Sequence, residues 1–135
     1  MATFNKFQSF VANVANGTYN LGSDQLVVAL TDSAPTATNN SLSDITQISY
    51  TNLSSRNITT SSSTQTSGTY NLKLSNLILS ASGAVAQFRY VVIYDSVPGS
   101  HQLIGWYDYG SEVNMNNGDT FAISFDGTNG LISIT

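Results

Sequence analysis

Between Phe88 and Gly110 the chain reads FRYVVIYDSVPGSHQLIGWYDYG, and large apolar side chains fall at both odd and even positions on either side of a Pro-Gly turn. Successive side chains of a strand point to opposite faces of the sheet, so a hairpin patterned in this way has no face suited to water. Phe88, Tyr90, Val92 and Tyr94 are predicted on one side of the first strand, with Arg89, Val91 and Ile93 on the other. In the second strand Ile104, Trp106 and Asp108 oppose Leu103, Gly105, Tyr107 and Tyr109. One face can fill the interior between two packed sheets; the other needs its own cover. Phe4, Phe7, Phe10, Val11 and Val14 recur at spacings of three and four, which predicts a helix over about residues 3–16, capped by Thr3 and stopped at Asn16-Gly17. That helix can lie across the outer face, and a neighbouring subunit is the alternative cover.

The rest of the chain reads as short strands separated by turn formers. QLVVALT after Gly22 is a compact run that is apolar on both sides, as a buried strand is. DSAPTATNNSLSD follows as a long surface loop, with a short turn around Asp44 to Ile48 capped by Ser43 or Asp44. NITTSSSTQTS fits either an edge strand or a loop. In TYNLKLSNLILSAS a bulge near Ser75 and Asn76 keeps Tyr70, Leu72, Leu74, Leu77 and Leu79 on one face. FAISF alternates Phe121, Ile123 and Phe125 against Ala122 and Ser124, a turn at Asn117-Gly118 precedes it, and DGTNG is predicted to close a last hairpin with LISIT. The reading is a single mainly β domain, 1–135: an antiparallel β-sandwich or Greek-key barrel of six to eight strands over about 25–135, with one N-terminal helix.

Composition narrows the function classes. Charged residues make up 9% of the chain, whereas Ser, Thr and Asn occupy 49 of 135 positions, so the surface is neutral and rich in hydroxyls and amides. Lys6, Arg56, Lys73 and Arg89 are scattered and the net charge is −4, which argues against a nucleic-acid partner. There is no cysteine, hence no disulfide or thiolate metal site. MATFNKFQSF has no basic start followed by an uninterrupted apolar run, so neither a signal peptide nor a membrane span is expected. His101 stands alone beside the Pro98-Gly99 turn and is read as solvated; Asp95, Asp108, Glu112, Asp119 and Asp126 are read chiefly as turn formers. No nucleophile elbow, phosphate loop or calcium loop is present, and no cofactor, metal or catalytic residue is assigned. Alternation places Trp106 and Tyr107 on opposite faces, which weakens a sugar platform built from both. The candidate packing or partner contacts are Phe4, Phe7, Phe10, Trp106, Tyr107 and Tyr109.

The phrases FNKFQSFVANVANGTYNLGSDQLVVALTDSAPTATNN, DITQIS, SGTYNLKLSNLILSASG, FRYVVIYD, LIGWYDYG and GDTFAISFDGTNGLISI, in this order, resemble a family of small virion proteins of tailed bacteriophages. The resemblance spans nearly the whole chain and rests on overall order, with no catalytic signature. It implies a capsid decoration, or cement, protein: made in the host cytoplasm, residing on the capsid surface, and bound to the major capsid protein, to itself as a homo-oligomer such as a trimer, or to both. The other roles it implies are tail, neck or head-fibre component. A free carbohydrate-binding module is the alternative outside virions.

Overall fold

A computed structural model describes residues 2–135. The described residues form nine strands: β1 (Phe4–Lys6), β2 (Leu26–Thr31), β3 (Thr60–Thr66), β4 (Thr69–Leu74), β5 (Leu77–Ser80), β6 (Val85–Asp95), β7 (Leu103–Met115), β8 (Thr120–Ile123) and β9 (Ile132–Ile134). They also form one α-helix, α1 (Ser9–Ala15), and a 3-10 turn at Leu42–Asp44. The strands make a four-stranded sheet in the order β1-β7-β6-β2, a three-stranded sheet β3-β4-β9 and a two-stranded sheet β5-β8, all antiparallel. The fold is thus mainly β with one helix, a sandwich of the larger sheet against the two smaller ones.

Burial explains the layering. Val28, Leu30, Val91, Ile93, Ile104 and Tyr107 from the large sheet meet Leu72, Leu74 and Ile132 of the β3-β4-β9 sheet, and Leu79 and Ile123 of the β5-β8 sheet, in the main core. A second cluster occupies the opposite face of the large sheet: Phe7, Val27, Ala29, Ile45, Val92, Tyr94 and Leu103, with Leu42 and Trp106 at its margin. The sheet is therefore wrapped on both sides, as the two-sided apolar pattern of β6 and β7 requires. The outward edge of β2 is also occupied. Its residues pair with the irregular 48–58 segment, through Ile48 N–H to the Leu30 carbonyl, Val28 N–H to the Arg56 carbonyl and Ile58 N–H to the Leu26 carbonyl, at 2.9–3.0 Å.

Several elements depart from the sequence reading. The expected 3–16 helix is split: residues 4–6 pair with β7 as β1, and helical structure runs only over Ser9–Ala15. Phe4, Phe7 and Phe10 therefore do not form one stripe, and the outer face is covered by Phe7 and the 42–45 turn, with Phe10 turned into the main core. Register shifts near Phe88–Tyr90 and at Ile93/Tyr94 add residues that reverse local alternation. Phe88 consequently joins Val91 and Ile93, and Ile104 joins Tyr107 while Leu103 sides with Trp106. The bulge expected at Ser75-Asn76 is a full break, at which the chain leaves one small sheet for the other. DGTNG joins β8 to β9 without pairing them, because β8 lies on β5 and β9 on β4. β3 is an edge strand, and the loop turn sits at Leu42–Asp44, where the Asp44 carboxylate accepts the N–H groups of Asn40 and Ser41.

Candidate functional site

The six aromatic candidates divide between the two faces of the large sheet. Phe7 is fully buried and its ring lies 4.6 Å from that of Trp106, on the outer face. Phe4, Phe10, Tyr107 and Tyr109 belong to the main core or its margin. There Phe4 lies 5.5 Å from Tyr107, Phe10 stacks on Tyr19 at 5.3 Å, and Tyr109 meets Phe121 edge-on at 5.0 Å. Phe7, Phe10 and Tyr107 are closed to solvent, whereas Phe4, Trp106 and Tyr109 keep part of their surface open. Burial raises the Tyr107 phenol well above its ordinary range, as expected of a hydroxyl held in an apolar setting.

Two of the surface depressions adjoin the candidate residues and turns. One is a groove of about 410 Å³ between α1 and β9, lined by Lys6, Phe10, Val11, Val14, Leu131 and Ile134 among others. Val11 is 57% exposed and Ile134 40% exposed, and among the described residues β9 has a hydrogen-bonded neighbour only on its β4 side. The other, of about 460 Å³, lies between the 41–47 turn and the 99–101 turn; Ser41, Ser43, Gln47, Ser100 and His101 surround an apolar floor of Leu42 and Ile45. His101 stacks on Tyr94 at 5.8 Å and has φ of 50°, a left-handed conformation that histidine adopts more readily than most residues.

The acids serve mainly local geometry. Asp108 receives the Arg89 guanidinium through two bonds, at 2.9 and 3.1 Å, and the Gly110 N–H at 2.7 Å; the guanidinium first, then the N–H, holds its carboxyl below the usual range. Asp126 accepts the N–H of Asn129 and of Thr128, and Asp44 those of Asn40 and Ser41, with the same downward effect. Asp119 accepts the Asn116 N–H at 2.8 Å in the turn before β8. Asp95 is different. It is wholly buried at the end of β6, its Oδ1 accepts the Val97 N–H at 3.1 Å, and its Oδ2 has no partner. Asp24 is its neighbour across the strands, two residues before Leu26, the β2 partner of Asp95, and burial first and Asp24 second raise the Asp95 carboxyl. The two acids are thus neighbours, but Asp95 is sealed in the fold, and the depression that Asp24 lines does not reach it.

Sequence reasoning missed Val11 and Ile134 as an exposed pair because α1 was read as one face of a longer helix turned inward. It missed Asp24 because the turn that delivers it to Asp95 is non-local in sequence. The trailing acid of the apolar run YVVIYD was the available signal, since alternation continues Val91 and Ile93 to Asp95. Among the described residues no three or more His, Asp or Glu side chains gather as metal ligands, and no helix is long and apolar enough to cross a membrane. Compared with family models, curated proteins and solved structures, the chain matches none of them.

Proposed function

We propose that this chain is a structural subunit of a tailed-phage virion, a capsid decoration protein that binds the outer head surface and works by adhesion. The resemblance of its phrases to small virion proteins motivates the reading, and the observation in its support is the α1/β9 groove. Exposed Val11 of α1 and exposed Ile134 of β9 line it, and among the described residues β9 has an open edge, on a surface rich in Ser, Thr and Asn. An apolar strip beside an unpaired strand suits docking to another protein. Anything that binds only the assembled shell stabilises it by mass action, and many copies make modest contacts sufficient.

The test is co-sedimentation of purified protein with heads that lack it, beside light scattering of the free protein to fix its oligomeric state. Binding that Val11→Asp and Ile134→Asp abolish, in variants that keep the native melting temperature, is the expected result. A strictly monomeric protein that leaves heads unbound and unstabilised would remove the proposal. A second reading, a glycan-binding tail, neck or head-fibre component, draws on the hydroxyl-lined depression at Ser41, Ser43, Ser100 and His101. A glycan array with the His101→Ala variant as control tests it.

A further inference from the structure

Asp95 occupies a position where an isolated carboxylate is costly. It lies opposite Leu26 of β2, its N–H donates to the Gln102 carbonyl at 3.1 Å, and its side chain is 0% exposed. Every element packed around it contributes neutral or acidic groups. The 20–25 turn brings Asp24, the segment after α1 brings the Tyr19 phenol, β2 brings Leu26, and the residues entering β7 bring Gln102 and Leu103. His101 lies on the other side of the sheet against Tyr94, and Arg56 and Arg89 are engaged elsewhere. Asp24 is held in place, because its Oδ2 accepts the Asn20 N–H at 2.9 Å and its own N–H donates to the Asn20 carbonyl at 2.8 Å. Two neighbouring carboxylates, one of them out of water, cannot both ionise without large cost.

We propose that Asp24 and Asp95 share one proton, the Asp95 O–H donating to the Asp24 carboxylate, and that this proton is a latch joining the entrance of β2 to the end of β6. The orphaned Asp95 Oδ2 is the atom that carries it. Burial first, and Asp24 second, push the Asp95 carboxyl up to about 7. Loss of the proton sets like charges against each other where Ser96 is tied to Gln25, through its N–H at 3.1 Å and its hydroxyl at 2.7 Å. The same 96–102 turn accepts the Leu42 N–H at the His101 carbonyl, and Leu103 donates to Asn40, each at 3.0 Å. Opening the latch therefore loosens the rim of the Ser41–His101 depression, and the fold gains a surface that responds to neutral pH.

The sign follows from proton binding. The native state holds a proton that the unfolded chain releases near pH 4, so stability is fully present below that value and is lost as pH rises to about 7. Urea unfolding of the whole chain is expected to show the folded-to-unfolded ratio falling about tenfold per pH unit between about pH 5 and 7. In Asp95→Asn that slope should vanish, with the variant the more stable at about pH 8, because the amide donates to Asp24 with no charge to lose. If Asp95→Asn does not fold, carboxyl-carbon NMR of the wild type decides: the Asp95 signal should titrate near neutrality, and a midpoint in the ordinary aspartate range overturns the latch. A slope unchanged in Asp95→Asn overturns it as well. So does stabilisation of the wild type by millimolar calcium at about pH 8 that Asp95→Asn lacks, since a cation and not a proton would then join the two acids.

Discussion

Phe7 and Trp106 pack ring against ring, centroids 4.6 Å apart and planes tilted by 43°, on the face of the large sheet turned away from the main core. That face was the open question of the sequence, because the β6-β7 hairpin is apolar on both sides. The chain covers it from within: Phe7 crosses from β1 to α1, donates its N–H to the Ile104 carbonyl at 3.2 Å, and closes over Leu103 and Val92 together with Ile45. No neighbouring subunit is required for this cover.

Removing that cover should be costly. Phe7→Ala deletes a fully buried ring and is expected to destabilise by about 3–5 kcal/mol in urea unfolding. Trp106, the one tryptophan of the chain, reports the same event: its emission should shift to the red as the indole loses its neighbour. A loss below about 1 kcal/mol would mean that the outer cluster is not packed as described.

Gly105 is the reason that β1 can approach β7. It pairs with Lys6, and an added Cβ would collide with the Phe4 ring and stand 2.6 Å from the Asn5 carbonyl oxygen. Gly105→Ala should therefore push β1 off the sheet, costing about 1–3 kcal/mol and exposing the Phe4–Lys6 amides to rapid hydrogen exchange. Retained protection at those amides would count against the pairing.

What was legible in the sequence is what periodicity records. β2, β6 and β7 stood out because β-branched and aromatic residues fill both of their faces, and the turn at Gly118 because its φ of 87° suits glycine. The side of each residue was less legible. One extra residue at Ile104 reverses its partners, and nothing local distinguishes that residue from a regular strand position. Phe4, Phe7 and Phe10 keep a helical spacing although β1 ends at Lys6, because tertiary pairing with Gly105 overrides the local signal for residues 4–6. The groove at Val11 and Ile134 and the Asp24–Asp95 juxtaposition depend on segments brought together only by the closed sandwich. Spacing along the chain marks Asp95 as inward-facing but carries no trace of its neighbour or of the groove.

Arg56 guards the outward edge of β2. Its guanidinium donates to the Val28 carbonyl at 2.6 Å and lies 3.6 Å above the Tyr50 ring, whose hydroxyl accepts the Leu30 N–H at 3.0 Å. Arg56→Ala is expected to cost about 1–3 kcal/mol, since the Val28 carbonyl is left without that donor and the Tyr50 ring loses its cation. Arg56→Lys should restore only part of this, because an ammonium lacks the planar face that stacks on the ring. Urea unfolding orders the three proteins, and full rescue by lysine would show that charge alone matters.

The acid side of the stability profile rests on different carboxyls from the Asp24–Asp95 pair and has the opposite sign. Asp44, Asp108 and Asp126 are held below the ordinary aspartate range, by the N–H groups of Asn40 and Ser41, by the Arg89 guanidinium, and by the N–H groups and side-chain amide of Asn129 together with the Thr128 N–H. A carboxyl depressed in the native state binds its proton more readily when unfolded, so its contribution is present above about pH 4 and is lost as pH falls through the native value. Melting temperature should accordingly fall on acidification below about pH 4. The combined variant Asp44→Asn, Asp108→Asn and Asp126→Asn keeps an oxygen to accept each N–H, so it should fold, melt lower than the wild type at about pH 5, and decline less steeply from there. Equal slopes in the two proteins would show that these three turns do not set the acid limit.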